Sequence, residues 1–316
     1  MNTLVSICIP TYQRPDLLYQ AIESCLNQTY QSIEIIIGDD SKDNSSEQII
    51  QKFKSSKVIR YHRNHPSLGQ AKNVNRLFDL AEGDRLVLLH DDDLLLPTAI
   101  QEMDNCWQRH PNLTACFGKQ YIVSMQSEVL EELSQQLNEK YHRTEQKSGL
   151  QQSTLFSAMT GQFPNDGYMV LTKAAQHVRY RDRSEVSDAC DFDFGLRLAS
   201  SYEHFYFVNQ YTAMYRLTET AVSSQISHSH ITYGLIESLT VPPELAEIRG
   251  DRLRTYASPA INEWLSLGNQ SAAHKIYTSP HHSWSKRLTL RGSIQFLLII
   301  CPRNLSTQVI KRLKNR

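Results

Sequence analysis

Three consecutive aspartates, Asp91, Asp92 and Asp93, end the apolar run "RLVLLH" and are followed at once by "LLLP". Two more, Asp39 and Asp40, close a second apolar run, "IEIIIG". Like charges about 4 Å apart, at an effective dielectric near 20, repel by roughly 4 kcal/mol, so acids gathered in this way call for a cation. Oxygen donors favour hard ions such as magnesium or manganese over zinc, and magnesium usually binds through one or two carboxylates plus substrate phosphates. Taken alone, the triplet could equally cap the helix after Pro97 and solvate a turn. A further pair, Asp191 and Asp193, opens the helical pattern "DFDFGLRLAS", where acids are also stabilised by the helix dipole.

The elements that must position these acids are legible in the first half of the chain. "VSICIP" (5–10), "IEIIIGDD" (33–40), "KVIRYHRN" (57–64) and "RLVLLH" (85–90) read as strands. Between them, helical spacing joins Leu17, Leu18, Ala21, Ile22, Cys25 and Leu26, then Ile49, Ile50 and Phe53, then Leu68, Ala71, Val74, Leu77, Phe78 and Ala81. Such alternation predicts an α/β fold whose mainly parallel central sheet is flanked by helices. Ligands bind beyond the carboxyl ends of such strands, and Pro10, Thr11, Tyr12, Asp39, Asp40 and Asp91 to Asp93 all fall there. "YMVL" (168–171) reads as a short strand, and "HFYFV" and "YTAMYRL" (204–217) as two more. Residues 126–148 read as a polar surface excursion, residues from about 231 onward as helical, and His228 and His230 as surface histidines.

Composition narrows the function classes. The chain has 316 residues, with 33 basic and 33 acidic side chains, which removes any whole-chain case for a nucleic-acid partner. Its six cysteines form no CxxC pair or zinc spacing and read as buried thiols of a reducing compartment. The N-terminus lacks the pattern of a signal peptide, and "IQFLLIIC" (294–301) is far short of the ~20 residues needed to span a bilayer. The expected location is the cytoplasm or the cytoplasmic face of a membrane.

"VSICIPTYQRPDLLYQAIESCLNQTYQSIEIIIGDDS", "LGQAKNVN", "LLHDDDLLLP" and "CDFDFGLRLAS", in this order and spacing, resemble glycosyltransferase family 2 on its GT-A (Rossmann-like) fold, over about residues 4–217. The resemblance implies inverting transfer of a sugar from a nucleotide diphosphate donor, a UDP-sugar, to the hydroxyl of a saccharide or lipid-linked saccharide, with Mn2+ or Mg2+ on the pyrophosphate. It places Pro10, Thr11 and Tyr12 against the nucleoside, Asp40 on the base ring NH, Lys72 near the base and phosphates, and Asp91 near the ribose. It makes Asp92 the metal ligand and Asp191 the general base, with Asp93, Asp193 and His90 as further candidates. Asn165 and Asp166, just before "YMVL", are candidates on the acceptor side. The implied organisation is a GT-A domain over 1–230, with donor half 1–117 and acceptor half 118–230, and a helical, basic extension over 231–316.

Two positions depart from the family pattern. Cys190 stands where a glutamate precedes the base, and Thr218 where many members place a metal-holding histidine. An inactive nucleotide-sugar-binding homologue acting as a subunit or scaffold is the alternative, which the intact Asp191 and acidic triplet oppose. A Rossmann dehydrogenase is opposed by the lack of a GxGxxG after any strand. After Glu263 the chain holds nine basic residues and no acid, around apolar residues from Trp284 to Ile300. That mixture suits an interfacial helix in peripheral membrane contact, and it equally suits a helix that closes a core with a solvated basic face.

Overall fold

The computed structural model describes residues 3–218 and 228–302. The chain divides into two compact units, Met1–Glu185 with Cys190–Ala221, and Val186–Ala189 with Val222–Arg316. In the first, β1 (Val5–Thr11), β2 (Ile33–Asp39), β3 (Ile59–Arg63) and β4 (Arg85–Leu88) run parallel in the spatial order β3-β2-β1-β4. Helices α1 (Pro15–Leu26), α2 (Ser45–Ile50) and α3 (Gln70–Leu80) connect them. Strands covered on both faces must be apolar on both, and β1 obeys this. Its Val5, Ile7 and Ile9 join a core with Leu18, Ile22 and Cys25 of α1 and with Ile100, Met103 and Trp107 of the helix that follows β4. Cys8, equally buried, donates its thiol to the Leu77 carbonyl of α3.

The chain leaves β1 toward β2 and β3, then returns to place β4 on the other side of β1. The strand order therefore reverses between β1 and β4, where a parallel sheet opens a crevice at its carboxyl edge. Beyond β4 come β5 (Leu94–Leu95), α4 (Ala99–Arg109), β6 (Ala115–Val123), α5 (Glu131–Lys140), β7 (Gly149–Leu150), α6 (Thr154–Thr160), β8 (Met169–Leu171), α7 (Thr172–Val178), α8 (Arg183–Val186), α9 (Cys190–Ser201) and β9 (Phe205–Arg216). β8 is antiparallel to both β4 and β6, β9 is parallel to β6, and β5 and β7 add antiparallel to β9.

Three features differ from the sequence reading. The segment read as two strands over 204–217 is one strand, β9, kept continuous by register shifts against β6 around Lys119. β6 itself has no counterpart in the sequence reading. The excursion at 126–148 is anchored rather than loose. Asn138 of α5 is buried, and its amide takes the Gln120 N–H at 3.2 Å and returns a bond to the Gln120 carbonyl at 2.9 Å, as a neighbouring strand would. Arg143, also buried, donates to Gln120 Oε1 and to the carbonyls of Gly161 and Gln162, and burial brings its pKa down to about 10.

The second unit contains α10 (Ser229–Ser238), α11 (Ala246–Ser266), α12 (Gln270–Thr278), α13 (Trp284–Arg287) and α14 (Leu290–Ile300). Its core includes Tyr233, Ile236, Leu253, Ala257, Ile261 and Ile276. His228 and His230 are not surface groups. His230 Nδ1 lies 2.7 Å from Glu263 Oε2 with its ring edge-on to Trp264, and His228 Nε2 lies 3.9 Å from Asp188. No helix among the described residues is long and apolar enough to cross a membrane.

The anchoring of α5 is open to test. Asn138→Ala leaves the Gln120 N–H and C=O buried without these partners, at about 1 to 3 kcal/mol for each stranded group. Urea unfolding should show a loss of about 2 to 4 kcal/mol with an unchanged slope.

Candidate active site

At the crevice between β1 and β4, Asp91 is tied to the end of β1. It accepts from Thr11 Oγ1 at 2.7 Å and from the Tyr12 N–H at 3.3 Å. Arg14 Nη1 bridges Asp91 Oδ1 at 3.2 Å and Asp92 Oδ2 at 2.7 Å. Burial and the neighbouring Asp92 push Asp91 up to about 6, against the pull of Arg14, Thr11 and Tyr12. Tyr12 is 44% exposed and presents a free ring at the rim.

Asp93 turns the other way. Its Oδ1 accepts the Arg216 N–H at 2.8 Å, and Arg216 Nε donates to the Asp92 carbonyl at 2.9 Å. The remaining guanidinium nitrogens bond Ser124 O, Met125 O, Ser127 Oγ and Gln20 Oε1. Burial, then Asp166 and Asp92, hold Asp93 well above the usual carboxylate range, against His90 and the Arg216 N–H.

His90 lies between acids from two other segments. Its Nδ1 is 3.9 Å from Asp166 Oδ2 and its Nε2 is 3.6 Å from Asp191 Oδ1. Burial alone would lower its pKa, but Asp166, Asp191 and Asp93 outweigh burial and hold it well above the ordinary histidine value. Nε2 is buried with no hydrogen-bond partner, because 3.6 Å is an ion-pair distance rather than a hydrogen bond. One ligand atom each from His90, Asp92 and Asp93 lies within 4.8 Å of the others. One imidazole nitrogen and two acid oxygens make a donor set that fits a hard divalent ion able to accept one imidazole, with the histidine proton given up on binding.

Asp191 sits at the start of α9, where Tyr180 donates to its Oδ1 at 2.9 Å. Burial and the neighbouring Asp191 raise the Tyr180 pKa, so the phenol stays a donor. Asp193 is spent on structure. It is 1% exposed, takes Arg181 Nε at 3.0 Å and Arg197 Nε at 2.8 Å, and its other oxygen meets Arg181 Nη2. Arg197 in turn donates to the Val178 and Arg179 carbonyls after α7.

The other expected site residues divide. Asp166 reaches the site beside His90, whose N–H it accepts at 3.1 Å, whereas Asn165 is exposed. Pro10 is the last residue but one of β1, half-buried at the rim. Lys72 projects from α3 and lies 3.5 Å from Asp182, with 65% of its side chain exposed. Asp40 is enclosed. It accepts from Asn64 Nδ2 at 2.7 Å, Ser67 Oγ at 3.0 Å, the Leu68 N–H at 3.0 Å and the Gly69 N–H at 2.6 Å. Gly69, at φ 82°, makes the left-handed turn that aims this N–H. A base NH can reach Asp40 only if one of these donors leaves. Asp39 is likewise engaged, by the Ser41 N–H and Tyr61 Oη. Thr218 is buried with its hydroxyl unpartnered among the described residues. Arg14, Arg216 and Tyr180 were missed from the sequence, since no spacing links them to the acids they hold.

The two acids of α9 should separate cleanly. Asp193→Ala strands two arginines against a buried face and should cost about 3 kcal/mol in chemical denaturation. Asp191→Asn keeps the Tyr180 bond, and its stability should stay within about 1 kcal/mol of the parent.

Comparison with known proteins agrees with this geometry. The sequence model described as "Glycosyl transferase family 2" matches residues 6–162. An uncharacterized glycosyltransferase of Methanocaldococcus jannaschii is 26% identical over 219 residues, 68% of this chain and 71% of that protein. The UDP-Glc:alpha-D-GlcNAc-diphosphoundecaprenol beta-1,3-glucosyltransferase WfaP of Escherichia coli is 40% identical over 97 residues, 31% of this chain and only 38% of that protein. The structure of S. aureus TarS in complex with UDP superposes with a TM-score of 0.65 at 12% identity, covering 94% of this chain and 90% of that one. With a reversing parallel sheet, an acidic strand end and this match in hand, the chain belongs to glycosyltransferase family 2, on a GT-A fold, and is an enzyme of the transferase type.

Proposed function

We propose that the protein is an inverting, metal-dependent glycosyltransferase that moves a sugar from a UDP-sugar to the hydroxyl of a saccharide or lipid-linked saccharide. The observation that carries the reading is the 3.6 Å approach of His90 Nε2 to Asp191 Oδ1, which brings the acid opening α9 to the edge of the acidic rim after β4. The UDP-sugar donor and lipid-diphosphate acceptor in the name of the E. coli relative, and the UDP bound to TarS, support the substrate classes.

Asp191 takes the proton of the acceptor hydroxyl as its oxygen bonds the anomeric carbon, and the bond from that carbon to the diphosphate breaks on the opposite face. The diphosphate leaves with that electron pair, and the configuration inverts. Tyr180 holds the carboxylate in place, and general-base assistance of this kind contributes about 10²- to 10⁴-fold. Arg14 is placed to screen the rim acids from the donor phosphates. A divalent cation, Mn2+ or Mg2+, held by Asp92 with Asp93 and His90 would supply positive charge to the leaving diphosphate.

UDP should raise the melting temperature with Mn2+ present and not in EDTA, and Asp92→Asn should abolish the metal-dependent part. Metal binding favours ionised acids, and burial pushes Asp91 up to about 6 and Asp93 well above the usual carboxylate range. The Mn2+-dependent shift should therefore grow as pH rises from about 5 to about 7. An equal shift in EDTA would remove the metal from the reading.

Turnover tests the base separately. Asp191→Asn should lower kcat by at least about a hundredfold while the UDP-induced melting shift persists. A loss below about tenfold would exclude Asp191 as the base.

A further inference from the structure

The helix α14 is inside out. Its buried side holds Gly292 and Gln295 as well as Leu298 and Ile299, and Gln295 Nε2 bonds Ser258 O, Ser258 Oγ and Asn262 Oδ1 of α11. The outward side carries Leu290, Ile294 and Leu297, at i, i+4 and i+7, with exposures of 80%, 36% and 59%. Ile300 and Phe296 flank this stripe, and Trp284 and Leu288, just before the helix, stand 74% and 80% exposed. A helix whose polar glutamine is buried while Leu290 and Leu297 face outward is not arranged for water on that side.

Charge selects the occupant. Lys286, Arg287 and Arg291 border the stripe, and none pairs with an acid among the described residues. Arg287 stacks over Trp284, and Lys286 donates only to the Arg254 carbonyl. From residue 264 onward the sequence holds no acid at all, and Arg303, Lys311, Arg312, Lys314 and Arg316 follow the stripe, outside the described residues. An apolar face with a tryptophan and long apolar side chains, bordered by uncompensated lysine and arginine, matches the headgroup boundary of an anionic bilayer. A second copy of the same face would bring these like charges together.

We infer that the outward face of α13 and α14 is a docking surface for an anionic lipid bilayer. The inference stands on this unit alone and needs neither the donor nor the metal of the proposed reaction.

The test uses the full chain with vesicles of pure phosphatidylcholine and vesicles containing about a third phosphatidylglycerol. The protein should co-sediment with the anionic vesicles at least about tenfold more strongly than with the neutral ones, and raised salt should weaken that binding. Leu290→Ser with Leu297→Ser, both exposed, should abolish co-sedimentation with melting temperature unchanged, and Lys286→Gln with Arg291→Gln should weaken it. Failure of the parent protein to bind anionic vesicles overturns the inference. So does equal binding by the serine variant, or a stable dimer that the serine variant disperses. UDP-induced stabilisation of the same samples reports separately on the proposed activity, and its loss or persistence leaves the docking result intact.

Discussion

The site rests on a buried guanidinium. Arg216, 1% exposed, closes the acidic rim by taking the Asp92 carbonyl on its Nε and offering its backbone N–H to Asp93, while its other nitrogens pin the segment at 124–127 and Gln20 of α1. A charge this deep persists only when every donor has an acceptor, because an unpaired buried charge costs several kcal/mol. That demand fixes the end of β9, the turn after β4 and the start of the 124–130 excursion relative to one another. Arg14 does the same at the rim's outer edge, bridging Asp91 and Asp92. The rim is therefore a strongly acidic surface whose backbone cannot relax away from its own repulsion.

Such an arrangement is poised rather than satisfied. Asp91 and Asp93 are both pushed upward by burial, and Asp166, Asp191 and Asp93 hold His90 well above the ordinary histidine value. Arg14 and Arg216 bring positive charge to the same rim. A metal ion with a donor diphosphate would bring its own charge, release the histidine proton and restore ionisation of the acids. Cation binding and the protonation state of the rim are therefore linked.

Elsewhere the fold uses polar side chains where a regular element would otherwise be needed. Asn138 stands in for a strand beside Gln120, Asp40 gathers the donors of the turn before α3, and Asp193 joins two arginines under α9. Asn138 and Asp40 pair with backbone groups, and Asp193 with guanidinium groups, so these buried polar groups stay satisfied without lengthening a strand. For Asp193 this occupation is what separates it from Asp191, which opens the same helix and takes the Tyr180 hydroxyl. Chemically equivalent residues two positions apart on α9 thus have different surroundings.

The first half of the fold was legible in the amino-acid sequence because parallel strands covered on both faces are largely apolar runs, and β1, β2 and β4 are, apart from the bonded Ser6 and Glu34 and the leading Arg85. The acidic strand end and the helix opened by Asp191 were legible as well, since both lie within short local patterns whose order matches the family. β6 and the single long β9 were not, because their alternation is broken by a bulge that only the pairing partner reveals. The partners of the acids were equally hidden. Arg216 lies 123 residues from Asp93, and Thr11 lies 80 from Asp91. Local sequence determined which residues could carry charge at the ends of strands. Tertiary structure decided which of those charges are neutralised by distant side chains, because burial and partners belong to the folded chain and not to spacing along it.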